Sequence, residues 1–177
     1  MLRYLTAGES HGKALVAILE GMPAGLEVEV SRINQELKRR QQGFGRGKRM
    51  QIENDRAQII SGLRKGITLG SPIALLIQNK DFSIEKLKKV ISPRPGQADL
   101  SGLLKYGLSD IRDVLERASA RETASRVGIG AICKIFLKEF NIRISSRVLS
   151  IGGETIHQGM IEKINEAIKE KDTVGGI

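Results

Sequence analysis

At 177 residues, with 40% hydrophobic and 28% charged residues, the chain is long enough for one or two globular domains with a substantial core. Phe, Tyr and Trp total only 3%, so that core must be aliphatic, and the net charge of +9 points to an anionic partner: nucleic acid, a membrane surface or a small polyanion. The single cysteine, Cys133, excludes an internal disulfide and reads as a buried thiol in an apolar helical run. The absence of a signal-peptide core and of any apolar run near the roughly 18 residues of a membrane span leads us to expect a soluble, cytoplasmic protein.

Leu2–Ala7 and Ala14–Glu20 read as buried strands. Between them lies Gly8-Glu9-Ser10-His11-Gly12, in which two glycines bracket three side chains able to hydrogen-bond or carry a proton. Glycines at such positions admit φ > 0 and a close backbone approach. His11 is one of only two histidines, the residue type that titrates nearest neutral pH. By itself the stretch is equally a polar turn with a hydrogen-bonded histidine.

Gly21–Gly25 has turn chemistry, and the alternation Glu27-Val28-Glu29-Val30 predicts a strand. Ser31 can cap a helix starting at Arg32, with Ile33 and Leu37 on one face and Lys38, Arg39 and Arg40 at the C-terminus, where cations suit the macrodipole. The glycine-rich, basic stretch from Gln41 to Arg49 reads as a loop, Gln51–Ile60 as a strand and Ile73–Gln78 as a buried strand. Asn79–Ile91 is either a short helix or an exposed connection. The segment from Ser92 to Asp99 contains two prolines and a glycine, so it must be a loop, and it carries Arg94. Asp110 opens the strongest helical pattern, which runs through Phe136 over about eight turns and marks a central helix. Gly128 and Gly130 within it suggest the close approach of another backbone. Ile142–Ile151 alternates as a strand, and Gln158–Lys169 reads as a helix with Met160, Ile161, Ile164, Ala167 and Ile168 inward.

Three cationic clusters stand out. Arg39, Arg40, Arg46, Lys48 and Arg49 lie among glycines, an arrangement that suits a small polyanion, a nucleic acid or merely a solvated basic face. Pro93-Arg94-Pro95-Gly96 is either a positioning device or a plain turn. Arg117 and Arg121, spaced i,i+4, would face one way on the central helix. Asp113 and Glu122 could pair with Arg117 and Arg126, yet a buried arginine favours a bound anion as its partner. No Cys/His spacing suggests a metal, and His157 reads as an ordinary polar residue.

Taken in order, Thr6-Ala7-Gly8-Glu9-Ser10-His11-Gly12, Arg39-Arg40-Gln41, Gly43-Phe44-Gly45-Arg46-Gly47, Gly70-Ser71-Pro72-Ile73, Pro93-Arg94-Pro95-Gly96, the run from Leu115 through Glu116-Arg117-Ala118-Ser119-Ala120-Arg121 to Ala124, and Val174-Gly175-Gly176 closely resemble the chorismate synthase family. The resemblance covers the whole chain. It implies an α+β fold, a β-α-β sandwich with central helices, assembled as a homotetramer. It implies a lyase of the shikimate pathway that converts 5-enolpyruvylshikimate-3-phosphate to chorismate and phosphate with reduced FMN. By resemblance His11 is a general acid, and Arg40, Arg46, Arg49, Arg94 and Arg121 hold substrate anions. Arg40 and Arg46 also match positions linked to NADPH, while Ser10, Arg117, Ala118 and Ser119 match a flavin-contacting segment. Gln97 stands where the family has a second catalytic histidine, and glutamine cannot transfer a proton near neutral pH. Asp81–Ser92 is shorter than in many members. Because the family is about twice as long, residues 1–177 would be the N-terminal portion of a single domain, inactive without its C-terminal half. The rival expectation is a basic, Gly/Arg-rich nucleic-acid-binding module, against which the scarcity of aromatics for base stacking counts.

Overall fold

In a computed structural model, residues 1–42, 52–155 and 157–170 are described. Four strands form one antiparallel sheet in the order β1 (Arg3–Ala7), β2 (Ala14–Glu20), β6 (Ile73–Gln78) and β3 (Ala57–Ser61). The register sets Leu5 opposite Ile18, Ala17 opposite Leu75 and Leu15 opposite Ile77. Side chains alternate across a strand, so Leu15, Ala17, Leu19, Ile73, Leu75 and Ile77 share one face and are fully buried. Helix α1 (Val30–Gln41) covers that face with Ile33 and Leu37, and α4 (Thr123–Lys138) with Ala124, Ile129, Ile132 and Ile135. The sheet's other face is open, with Leu5 and Ile18 exposed. The strands expected to be buried are therefore covered on one side only, and β1 is an exposed edge. A continuous apolar run does not reveal how many of its faces are covered.

A small hairpin joins β4 (Leu63–Arg64) to β5 (Ile67–Thr68). Its two turn residues, Lys65 and Gly66, have φ of 52° and 80°, the backbone a type I′ turn requires. The remaining helices are α2 (Asp99–Tyr106), α3 (Ile111–Arg117) and α5 (His157–Glu170).

Several expectations need correction. Glu27–Val30 is not a strand: Glu27 makes a single bridge to Ile67, and α1 already begins at Val30, with Glu29 rather than Ser31 at its N-cap. The strand expected over Gln51–Ile60 is the shorter β3, and Gln51 lies outside the described residues. Helix α2 carried no signal that the apolar period detected. The long central helix is two. Asp110 does cap the first, accepting a hydrogen bond from the Arg112 amide at 2.9 Å, but the chain leaves the helix at Ser119 (ψ 146°) and passes through a 3-10 turn, Ala120–Glu122. Serine competes with the helix for backbone amides, and here the Ser119 hydroxyl accepts from Arg121 N–H.

Gly128 faces the Leu75 side chain rather than a backbone, and Gly130 faces open space. Ile142–Ile151 forms no strand: Ile142, Ile144, Val148 and Leu149 are exposed, and no described strand pairs with them. In α5, Met160, Ile161 and Ile164 are half-buried, while Ala167 and Ile168 lie outside the described side chains. The described residues thus form a mixed α+β unit in which a four-stranded sheet carries helices on one face, with a separate two-stranded hairpin. No described helix is long and apolar enough to cross a membrane.

Candidate functional site

The Gly8–Gly12 turn joins β1 to β2 and meets the end of α3. Gly8 has φ of 108°, and a Cβ there would stand 2.4 Å from the Ala14 carbonyl oxygen, so only glycine fits. Gly12 has no positive φ, so its part in the turn is space and not backbone freedom.

The turn is held from two sides. Asn79, just past β6, donates its side-chain amide to the carbonyls of Glu9, Ser10 and Gly12 at 3.2, 3.2 and 2.7 Å. From the other side comes Glu116, which is 2% exposed near the end of α3. Its backbone carbonyl accepts from Ser10 N–H at 2.9 Å, and its carboxylate accepts from His11 N–H at 2.7 Å. The same carboxylate lies 3.0 and 2.9 Å from His11 Nδ1. The other ring nitrogen, Nε2, is 3.7 Å from an Asp81 carboxylate oxygen. The imidazole is thus pinned at one edge and partly accessible at the other.

Behind the turn lies a cationic centre. Arg121 Nε donates to Asn79 Oδ1 at 2.8 Å, so the guanidinium orients the amide that clamps the turn. Its NH1 donates to Asp55 Oδ1 at 2.5 Å, and its NH2 lies 3.7 Å from Glu53 with no hydrogen-bond partner among the described residues. The buried arginine thus has carboxylate partners inside the chain, where the sequence reading weighed ion pairing on this helix but favoured a bound anion. Arg40 reaches the same place from the end of α1, donating to Ala120 O at 2.9 Å and Thr123 Oγ1 at 3.0 Å and standing 3.5 Å from Asp55.

Arg117 does not share a face with Arg121, because the break at Ser119 separates them. Instead its half-exposed guanidinium donates to the carbonyl and hydroxyl of Thr6, both at 2.8 Å. Glu122 takes the Thr6 hydroxyl at 2.6 Å and Arg126 at 2.8 Å, the latter being the ion pair expected from the sequence. Burial disfavours the Glu122 anion, but these hydrogen bonds outweigh it and hold the carboxyl below its ordinary range. The Ser119 hydroxyl donates to Ser10 Oγ at 3.1 Å, and Ala118 beside it is exposed.

Ser10, His11, Arg40, Arg117, Ala118, Ser119 and Arg121 therefore gather around one turn. Arg94 and Gln97 do not join them. Both are exposed on the loop before α2, where Arg94 makes a bidentate pair with Asp99 at 2.8 and 2.9 Å. Arg46, Arg49 and Val174–Gly176 lie outside the described residues. The sequence reading missed Asn79, Asp55 and the part played by Glu116. Glu116 sits inside a quoted motif, but only the fold brings it to His11, 105 residues away. Cys133 is half-buried, and burial pushes its thiol up. No cluster of His, Cys, Asp and Glu among the described residues could hold a metal.

A model of the chorismate synthase family matches residues 2–177. The chorismate synthase of Caldanaerobacter subterraneus subsp. tengcongensis is 55% identical over 179 residues, covering 99% of this chain and 51% of the relative. That of Aquifex aeolicus is 57% identical over 169 residues, covering 89% of this chain and 42% of the relative. A crystal structure of a chorismate synthase superposes with a TM-score of 0.71 at 52% identity, covering 89% of this chain and 40% of that one. The chain spans about half the length of the curated relatives it matches. Ordered motifs across the chain, the gathering of three of them around the His11 turn and these likenesses lead to one conclusion: the chain belongs to the chorismate synthase family.

Proposed function

We propose that this chain supplies the His11 side of a chorismate synthase site, in which 5-enolpyruvylshikimate-3-phosphate loses phosphate and a ring proton to give chorismate. The observation that carries this reading is His11 itself, pinned to Glu116 at Nδ1 and partly accessible at Nε2, with Arg121 and Arg40 behind the turn that bears it. His11 serves as general acid toward the departing phosphate. Fixed cations stabilise that charge as it develops, and the arginines Arg40, Arg46, Arg49 and Arg121 hold the substrate's phosphate and carboxylates. Gln97, on the loop before α2, can donate a hydrogen bond but cannot carry a proton.

The residues present suit a reduced FMN. The hydroxyls of Ser10 and Ser119 stand 3.1 Å apart, and beside them lie the exposed Ala118 and the half-exposed Arg117 guanidinium. This open, donor-rich edge fits the polar rim or phosphate of a flavin. When bound, the flavin supplies reducing chemistry to a reaction with no net redox change. Arg40 and Arg46 would serve NADPH in an enzyme that reduces its own flavin. A cytoplasmic homotetramer completes the proposal.

The test is His11→Ala in a full-length enzyme carrying these 177 residues, assayed anaerobically for phosphate and chorismate with photoreduced FMN. Loss of a general acid lowers kcat by roughly 10²–10⁴-fold. Undiminished turnover would sink the reading.

A further inference from the structure

Glu116 holds more of His11 than structural support requires. Its carboxylate takes the His11 backbone N–H at 2.7 Å and faces Nδ1 at 2.9–3.0 Å, so one buried group sets both the main chain and the ring of the same residue. An ionised carboxylate has only acceptors to offer. A nitrogen lying at hydrogen-bond distance from both of its oxygens must therefore be the donor. Arg112 approaches the Glu116 carboxylate at 3.9 Å from one turn earlier on α3, and Asp81 stands 3.7 Å from Nε2 on the far side of the ring.

We infer that Glu116 is a positioning residue that fixes His11 as the Nδ1–H tautomer, so that Nε2 is the nitrogen that gives up and regains the proton. Free histidine favours the opposite neutral tautomer, with hydrogen on Nε2. Without Glu116 the ring could turn or switch, and the exchanging nitrogen would no longer face outward. With it, the proton leaves Nε2 for a phosphate oxygen, and the neutral imidazole that remains keeps its Nδ1 hydrogen on Glu116. The inference rests on the proposed role of His11 as general acid, but the tautomer is measurable without any turnover.

The decisive variant is Glu116→Gln, which preserves shape and removes the second acceptor. The His11 backbone N–H at 2.7 Å still demands an oxygen, so the amide oxygen takes that position. The amide NH₂ then faces Nδ1 at 3.0 Å, while the amide oxygen, already committed to the His11 N–H, lies 2.9 Å from it. A neutral Nδ1 can then accept from the NH₂, and the hydrogen moves to Nε2, the tautomer free histidine favours and the change that a carboxylate-to-amide substitution produces beside a catalytic histidine in serine proteases.

With only two histidines in the chain, His157→Gln leaves a single imidazole to observe. Ring ¹⁵N shifts, recorded with the ring neutral, should show protonated Nδ1 and bare Nε2 in the wild type and the reverse in Glu116→Gln. A wild-type ring protonated at Nε2 overturns the inference, whether or not the variant folds. In the full-length enzyme, Glu116→Gln should lower kcat at least 10²-fold with KM changed less than about 3-fold. Inverted ring shifts with unchanged kcat overturn the catalytic part. Expected ring shifts with full activity in His11→Ala would instead overturn the proposed function and leave the tautomer assignment standing.

Discussion

Arg94 and Asp99 form a bidentate ion pair away from the His11 turn. The guanidinium takes both carboxylate oxygens, and Arg94 N–H adds a third hydrogen bond. These bonds hold the Asp99 carboxyl below its ordinary range against the cost of its complete burial. Asp110 is held low as well, chiefly by the Val90 amide, and Glu122 by Thr6 and Arg126. A carboxyl depressed in the folded state contributes stability above its unfolded pKa, near 4, and loses it as pH falls through the folded value. The chain should therefore lose stability from about pH 4 downward. Asp99→Asn should lower Tm at pH 7 and flatten part of that acid slope, as thermal melts across pH 2–7 would show. An unchanged slope would mean the pair does not stabilise the fold. The Pro-Arg-Pro-Gly motif marked the loop, but it could not show that Arg94 donates to both oxygens of Asp99, because that pairing depends on how the loop turns into α2.

At the level of elements, α4 carries two glycines that the sequence could not tell apart. A Cβ at Gly128 would stand 3.1 Å from a Leu75 methyl in a fully buried row of the sheet, whereas nothing lies within 4 Å of Gly130. Gly128→Val should overpack that contact and cost about 1–3 kcal/mol. Gly130→Ala should stabilise the protein by about 1 kcal/mol, because alanine restricts the unfolded chain and favours the helix. Urea unfolding of the two variants should move the midpoint in opposite directions, and shifts of the same sign would contradict this packing. The central helix shows the same limit from another side. Its apolar period continues across Ser119, because a short 3-10 turn can break the axis while the apolar spacing persists. The sequence therefore carried the inward positions but not the break that sends Arg117 to Thr6 and Arg121 to Asp55.

For the whole molecule, length is the governing fact, because the chain covers 51% of one relative and 42% of another. The aligned region of the Geobacillus thermodenitrificans relative runs to 217 positions, beyond the 177 present here, so that relative also carries residues within the match that this chain lacks. The open face of the sheet and the exposed Ile142–Leu149 segment are apolar surface that a larger assembly could cover. The 177-residue chain alone, supplied with substrate and reduced FMN, should form no chorismate above background in an anaerobic absorbance assay. Steady turnover would show that the described unit contains a complete site.

The sequence by itself determined the family, the strands β1, β2 and β6, the glycine turn and some of the residues that meet there. These rest on local chemistry: a backbone angle only glycine tolerates, an apolar run, a motif order. Tertiary structure alone decided which face of each strand is covered, where the central helix breaks, and which partners the charged groups take. Most of these depend on contacts far apart in the chain, such as Asn79 with Arg121 across 42 residues and Thr6 with Glu122 across 116, whose geometry no local spacing encodes. So His11 could be picked out from the chain alone, but the carboxylate that fixes its ring came only with the fold.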